Sequence, residues 1–150
     1  MNTEELQTLG EEMEQATEEE RMGKLKEIFP NFKIKYSKVD TVRNKYGNAN
    51  RYRLTLENNG EKYNTTFTDS IYNTQRGIVS SKFSMLYCIV SDAQCYNGCT
   101  DQFDFMEEFG YEDAKTARKA YEGCKGAMDG LERLVGYEGF EILSNLTYNY

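Results

Sequence analysis

Asn59-Gly60 stands between two runs in which apolar and polar residues alternate, Arg51 to Glu57 and Lys62 to Thr68, and it predicts a β-hairpin. A two-residue type I′ turn needs positive φ at both central positions, which asparagine tolerates and glycine adopts without steric cost. Once that turn is set the register follows: Glu57 faces Lys62, Leu56 faces Tyr63, Leu54 faces Thr65, Arg53 faces Thr66 and Tyr52 faces Phe67. One face of the hairpin then gathers Tyr52, Leu54, Leu56, Tyr63, Thr65 and Phe67. The other gathers Arg51, Arg53, Thr55, Glu57, Lys62, Asn64 and Thr66. Upstream, Phe32, Ile34 and Tyr36 alternate with Lys33, Lys35 and Ser37, which predicts a further strand divided in the same way. A polar connection around Asn44 to Asn50 joins it to the hairpin. A sheet with one apolar side needs a second layer to cover it.

Helices supply that layer. Leu6, Leu9, Met13 and Ala16 recur at helical spacing, Leu25, Ile28 and Phe29 resume the stripe, and Thr17-Glu18-Glu19-Glu20 is a capping box that starts a second helix ended by Pro30. The first of these helices is thin in apolar residues, so it reads either as a loosely held arm waiting for a partner or as a solvated surface helix. Thr68 to Ser80 holds turn formers without a period and reads as a loop. Ser80 or Ser81 caps a helix carrying Met85, Leu86, Ile89, Val90 and Ala93, and Asn97-Gly98 ends it. Thr100 caps a short helix with Phe103, Met106 and Phe109, closed by Gly110. Ala114 to Val135 is the longest helix, striped with Ala117, Tyr121, Cys124, Met128, Leu131 and Leu134 and ended by Gly136. Phe140, Ile142 and Leu143 add a helical turn or an edge strand. At 150 residues without a long linker, the chain is predicted to be one α+β domain. An acidic helical arm spans 1–29, a basic antiparallel sheet 32–68 and a helical subdomain 81–143, packed on the apolar side of the sheet.

Several chemistries are closed to this chain. It contains no histidine, which excludes Ser-His-Asp and Cys-His nucleophiles, His-containing zinc sites and a histidine general base. Its four cysteines, Cys88, Cys95, Cys99 and Cys124, lack the paired CxxC spacing of structural zinc sites, so no metal and no cofactor are expected. Cys88 and Cys124 read as small apolar residues on helix faces, and Cys95 and Cys99 flank a loop. Glu107 with Glu108 and Glu112 with Asp113 are neighbours that do not converge on one point. No phosphate-binding loop, nucleophile elbow or calcium loop is present, and only a site assembled from Asp92, the cysteines or the tyrosines stays open to the fold. The expectation is a protein that is not an enzyme. Met1 is followed by Glu4, Glu5, Glu11 and Glu12 and not by a basic and apolar leader, so the cytoplasm is the expected compartment.

The net charge of −7 conceals a strong segregation. Residues 1–21 carry eight glutamates and Arg21, a net −7; residues 22–62 carry ten bases and four acids, a net +6; the remainder is net −6. Two candidate surfaces follow. Glu11, Glu12, Glu14, Glu18, Glu19 and Glu20 form an acidic partner-binding surface. Lys33, Lys35, Arg51 and Arg53, with Asn64 and Thr66 as neutral donors and Tyr46 and Tyr72 nearby, form a phosphate-sized basic cluster that suits a nucleic-acid backbone.

Three stretches carry a resemblance: Leu86-Tyr87-Cys88-Ile89-Val90-Ser91-Asp92-Ala93, then Phe103-Asp104-Phe105-Met106-Glu107-Glu108-Phe109-Gly110-Tyr111, then Ala117-Arg118-Lys119-Ala120-Tyr121 to Cys124. Together they resemble a recurrent pattern in small proteins encoded by bacteriophages, prophages and plasmids. Thr68-Asp69-Ser70 resembles the Thr-Asp-Ser that often precedes it. The resemblance covers about residues 66–135 and leaves out the N-terminal helices and the basic hairpin. Phe105 and Met106 stand where the pattern commonly carries Trp and Cys. The resemblance implies a mobile-element origin, and with it a stoichiometric inhibitor of a bacterial defence nuclease, of the anti-CRISPR kind. The expected partner is a defence nuclease or a Cas9-type ribonucleoprotein, whose basic nucleic-acid channel the acidic surface would complement in the cytoplasm of a bacterial host cell. The alternative is a nucleic-acid-binding accessory protein that uses the basic sheet face.

Overall fold

The computed structural model describes residues 1–97 and 99–150, with the side chains of residues 92–98 outside the description. Expectations for Asp92, Ala93, Cys95 and the helix end at Gly98 therefore lie outside the described residues. The elements run α1 (Thr3–Glu14), α2 (Glu18–Ile28), β1 (Lys33–Asn44), β2 (Gly47–Asn58), β3 (Glu61–Thr68), α3 (Ile71–Arg76), α4 (Lys82–Asn97), α5 (Gln102–Phe109) and α6 (Ala114–Leu146). The three strands form an antiparallel sheet in the order β1-β2-β3, which is the α+β architecture expected.

The hairpin keeps the predicted register from Tyr52↔Phe67 to Glu57↔Lys62, and Asn59 and Gly60 both take positive φ, 51° and 85°. Leu54, Leu56 and Phe67 are fully buried in one core with Phe83, Leu86, Ile89, Leu131, Leu143 and Leu146. The long helix approaches β3 closely because small residues face it. A Cβ at Gly123 would lie 2.2 Å from the Thr66 carbonyl oxygen, so only glycine lets helix and strand meet there. Cys88 and Cys124 are buried, but they are not purely apolar there: Asn73 Nδ2 donates to Cys88 Sγ at 3.4 Å, and Cys124 Sγ lies 4.0 Å from the Thr68 carbonyl it faces.

Local chemistry corrects several boundaries. The polar connection around Asn44 to Asn50 is mostly strand, since β1 and β2 pair through to Asn44↔Gly47. Asn44 makes this possible: its Oδ1 accepts from the Tyr46 N–H at 3.1 Å and closes a tight turn. Thr68 to Ser80 contains a helix, α3, capped by the Ser70 side chain on the Asn73 N–H and ended by Gly77 at φ 60°. At six residues it is too short to show a period. Asp101, not Thr100, caps α5, because a carboxylate accepts from both the Phe103 and Asp104 N–H groups. Ser81 caps α4, exchanging bonds with Ser84: Ser84 N–H donates to Ser81 Oγ and Ser81 N–H donates to Ser84 Oγ. Gly136, at φ 79° and ψ 171°, breaks α6 as expected, and residues 137–146 resume as a helix in place of an edge strand.

The N-terminal arm is docked. Leu9, Met13 and Leu25 are buried, and α1 packs on α6. Arg21, only 2% exposed, donates through Nη1 to the carbonyls of Leu146 (3.1 Å) and Tyr148 (2.7 Å). One buried cation thus adds to the apolar contacts of Leu9, Met13 and Leu25 in holding these helices.

Candidate functional site

The six acidic candidates are all exposed, and they divide by what they already hold. Glu20 is the reciprocal member of the α2 capping box, accepting from the Thr17 N–H and hydroxyl. Glu18 accepts from Ser81 Oγ at 2.6 Å and from the Tyr150 hydroxyl. Those two bonds hold its carboxyl below the usual value, while burial, followed by the same carboxylate, pushes the Tyr150 phenol up to about 12. Glu18 and Glu20 are therefore committed to the fold.

Glu11, Glu12, Glu14 and Glu19 remain. Glu11 accepts a bond from Gln7 on its own helix, and Glu12 lines a cleft between α1 and α2 shared with Glu4, Glu5 and Lys24. None of the four is in an ion pair among the described residues. They stand on helices fixed from beneath by Leu9, Met13, Arg21 and Leu25, so the charge is presented by a rigid support.

The basic candidates share one face, as the alternation predicted. Lys33 pairs in register with Glu57, Lys35 with Thr55 and Ser37 with Arg53. Lys33, Lys35 and Arg53 are exposed, so the helices leave this face open, and its neutralisation comes from within the sheet. The ladder shifts between Lys38 and Asp40, which brings Asp40 opposite Arg51. Strict alternation from Lys33 would turn Asp40 to the other side. The Asp40 carboxylate accepts from Arg51 Nε at 2.7 Å and from Nη2, and this bonding raises the guanidinium pKa. Glu57 lies 3.8 Å from Lys33 Nζ and 3.6 Å from Lys62 Nζ. Asn64 is tied across the ladder, its Oδ1 accepting from Thr55 Oγ1 at 2.7 Å. Of the basic cluster, Lys35 and Arg53 are left outside any ion pair among the described residues.

Sequence reasoning missed Asp40 and Arg21. The bulge that places Asp40 leaves no trace in the hydrophobic period, and a single arginine after three glutamates looks like solvated charge. No group of three metal-ligating side chains is assembled among the described residues, and no helix there is long and apolar enough to cross a membrane. Comparison of the chain with family models, with curated proteins and with solved structures finds no match.

Proposed function

We propose that the chain is a non-enzymatic binding protein that docks through the acidic face of α1 and α2 onto a basic, nucleic-acid-binding surface of a protein partner. The observation that carries this reading is the contrast between the two charged faces. Glu11, Glu12, Glu14 and Glu19 keep uncompensated charge on a rigid support, whereas the sheet neutralises part of its own basic cluster through Asp40 and Glu57. Charge presented without internal partners steers association with an oppositely charged surface and sets its register. Taken with the resemblance over residues 66–135, the partner is a bacterial defence nuclease or Cas9-type ribonucleoprotein, and the outcome is a block of nucleic-acid binding or cleavage.

The test measures binding to a purified Cas9-type ribonucleoprotein, and to bare RNA and DNA, with two variants. Glu11→Lys/Glu12→Lys/Glu19→Lys should weaken ribonucleoprotein binding at least about tenfold, roughly 1.4 kcal/mol. Lys35→Glu/Arg53→Glu should leave it within about twofold. Equal binding by wild type and the triple variant, both folded by circular dichroism, would sink the acidic-face reading. The second reading, nucleic-acid binding by the sheet, draws on Lys35 and Arg53, whose charge is not paired. It predicts that only the Lys35/Arg53 variant loses affinity for bare nucleic acid.

A further inference from the structure

A cavity of about 20 Å³ lies apart from both charged faces, where the far ends of β1 and β3 meet α5. Its walls include Asn44, Ala49, Asp69, Phe105, Phe109 and Tyr111. Two of these are polar side chains taken almost entirely out of water: Asn44 is 8% exposed and Asp69 2%. Each is half satisfied. Asn44 Oδ1 accepts from the Tyr46 N–H, which fixes the orientation of the amide, and its Nδ2 has no protein partner. Asp69 Oδ1 accepts from the Ser70 N–H at 2.9 Å and from Asn73 Nδ2 at 3.0 Å, the Cys88 thiol bonds the same carboxyl, and Oδ2 lies buried without a partner of hydrogen-bond geometry. One buried donor and one buried acceptor therefore belong to two residues that line the same small space, and they do not bond each other.

Buried polar atoms are nearly always paired, so this pair of exceptions calls for a third group. The space sets its size: about 20 Å³ is the room of one water-sized sphere. The two atoms set its chemistry. A cation would meet the Asn44 amide hydrogens and an anion would meet the Asp69 carboxylate, so the complement is a neutral group that accepts and donates at once. Burial pushes the Asp69 carboxyl up to about 6, which still leaves it mainly ionised and accepting at neutral pH.

We propose that this cavity is a binding site for one O–H group, which accepts a hydrogen bond from Asn44 Nδ2 and donates one to Asp69 Oδ2. The group is that of an ordered water, or of a small alcohol that places only its hydroxyl in this space and keeps its carbon body outside it. Two measurements on the full wild-type chain test the site and separate its occupants. A high-resolution crystal structure should show one oxygen peak within hydrogen-bond distance of both atoms. Water-selective NMR cross-relaxation should show a slowly exchanging water beside the Asn44 side-chain amide protons. If that signal withstands titration with ethanol, water is the occupant. If it disappears while shifts move at Asn44, Asp69 and Phe105, the site takes the hydroxyl of a small molecule. Both results support the site. An empty cavity in the crystal together with no water signal in solution overturns the proposal, as does a direct Asn44–Asp69 bond.

Discussion

Arg21 is a permanent cation whose bonds all run to backbone carbonyls, those of Ala16, Leu146 and Tyr148. Burial lowers its pKa from the ordinary value, the cost of removing a charge from water, and the three carbonyls offset that cost. Replacing it by methionine keeps the bulk and orphans the acceptors. Arg21→Met should lower stability in urea unfolding by about 2–3 kcal/mol, and a smaller loss than about 0.5 kcal/mol would show that the tail is held otherwise. Asp69 is the other buried charge with a consequence. Its folded pKa, raised to about 6 by burial, lies above the ordinary 3.8 that it keeps in the unfolded chain, so the native state holds the proton more tightly between those values. Stability from this group is complete below about pH 4 and is lost as pH rises through about 6. Asp69→Asn should flatten the fall, on the order of 3 kcal/mol, that denaturant unfolding records for the wild type across that window.

Among the elements, the hairpin was legible because two independent signals agreed, turn chemistry at Asn59-Gly60 and alternation on either side. Gly60→Val should destabilise the fold by about 1–3 kcal/mol, because a β-branched residue resists a φ of 85°, and unchanged thermal stability would remove the turn argument. The elements that escaped were those whose signals are local and brief. Six residues of α3 complete less than two turns, although Ser70 and Gly77 stand at its ends as a cap and a stop should. Val39, 45% exposed where the ladder of β1 shifts, breaks a period that the preceding residues had established. The break at Gly136 could be read from glycine alone, but the choice of helix for residues 137–146 rests on packing against α1 that no local pattern carries.

For the whole molecule, the segregation of charge along the sequence was a true guide to segregation in space, and a poor guide to which charges are spoken for. Eight glutamates in residues 1–21 count alike in a sum, yet Glu18 and Glu20 are bound within the fold while Glu11, Glu12, Glu14 and Glu19 stand outside any ion pair among the described residues. On the proposed reading, affinity for a basic partner should fall as salt is raised, and the Glu11/Glu12/Glu19 variant should show a flatter dependence in the same titration. Parallel salt dependences would place the contact elsewhere, with the helices from α4 to α6 as the next surface to probe. The docking of Arg21 also fixes an order of events during synthesis. The carbonyls that receive it lie 125 and 127 residues further along the chain. Residues 18–28 are therefore made long before the carbonyls that receive Arg21, and during synthesis the acidic helices lack this one tie until residues 146–148 are available to it.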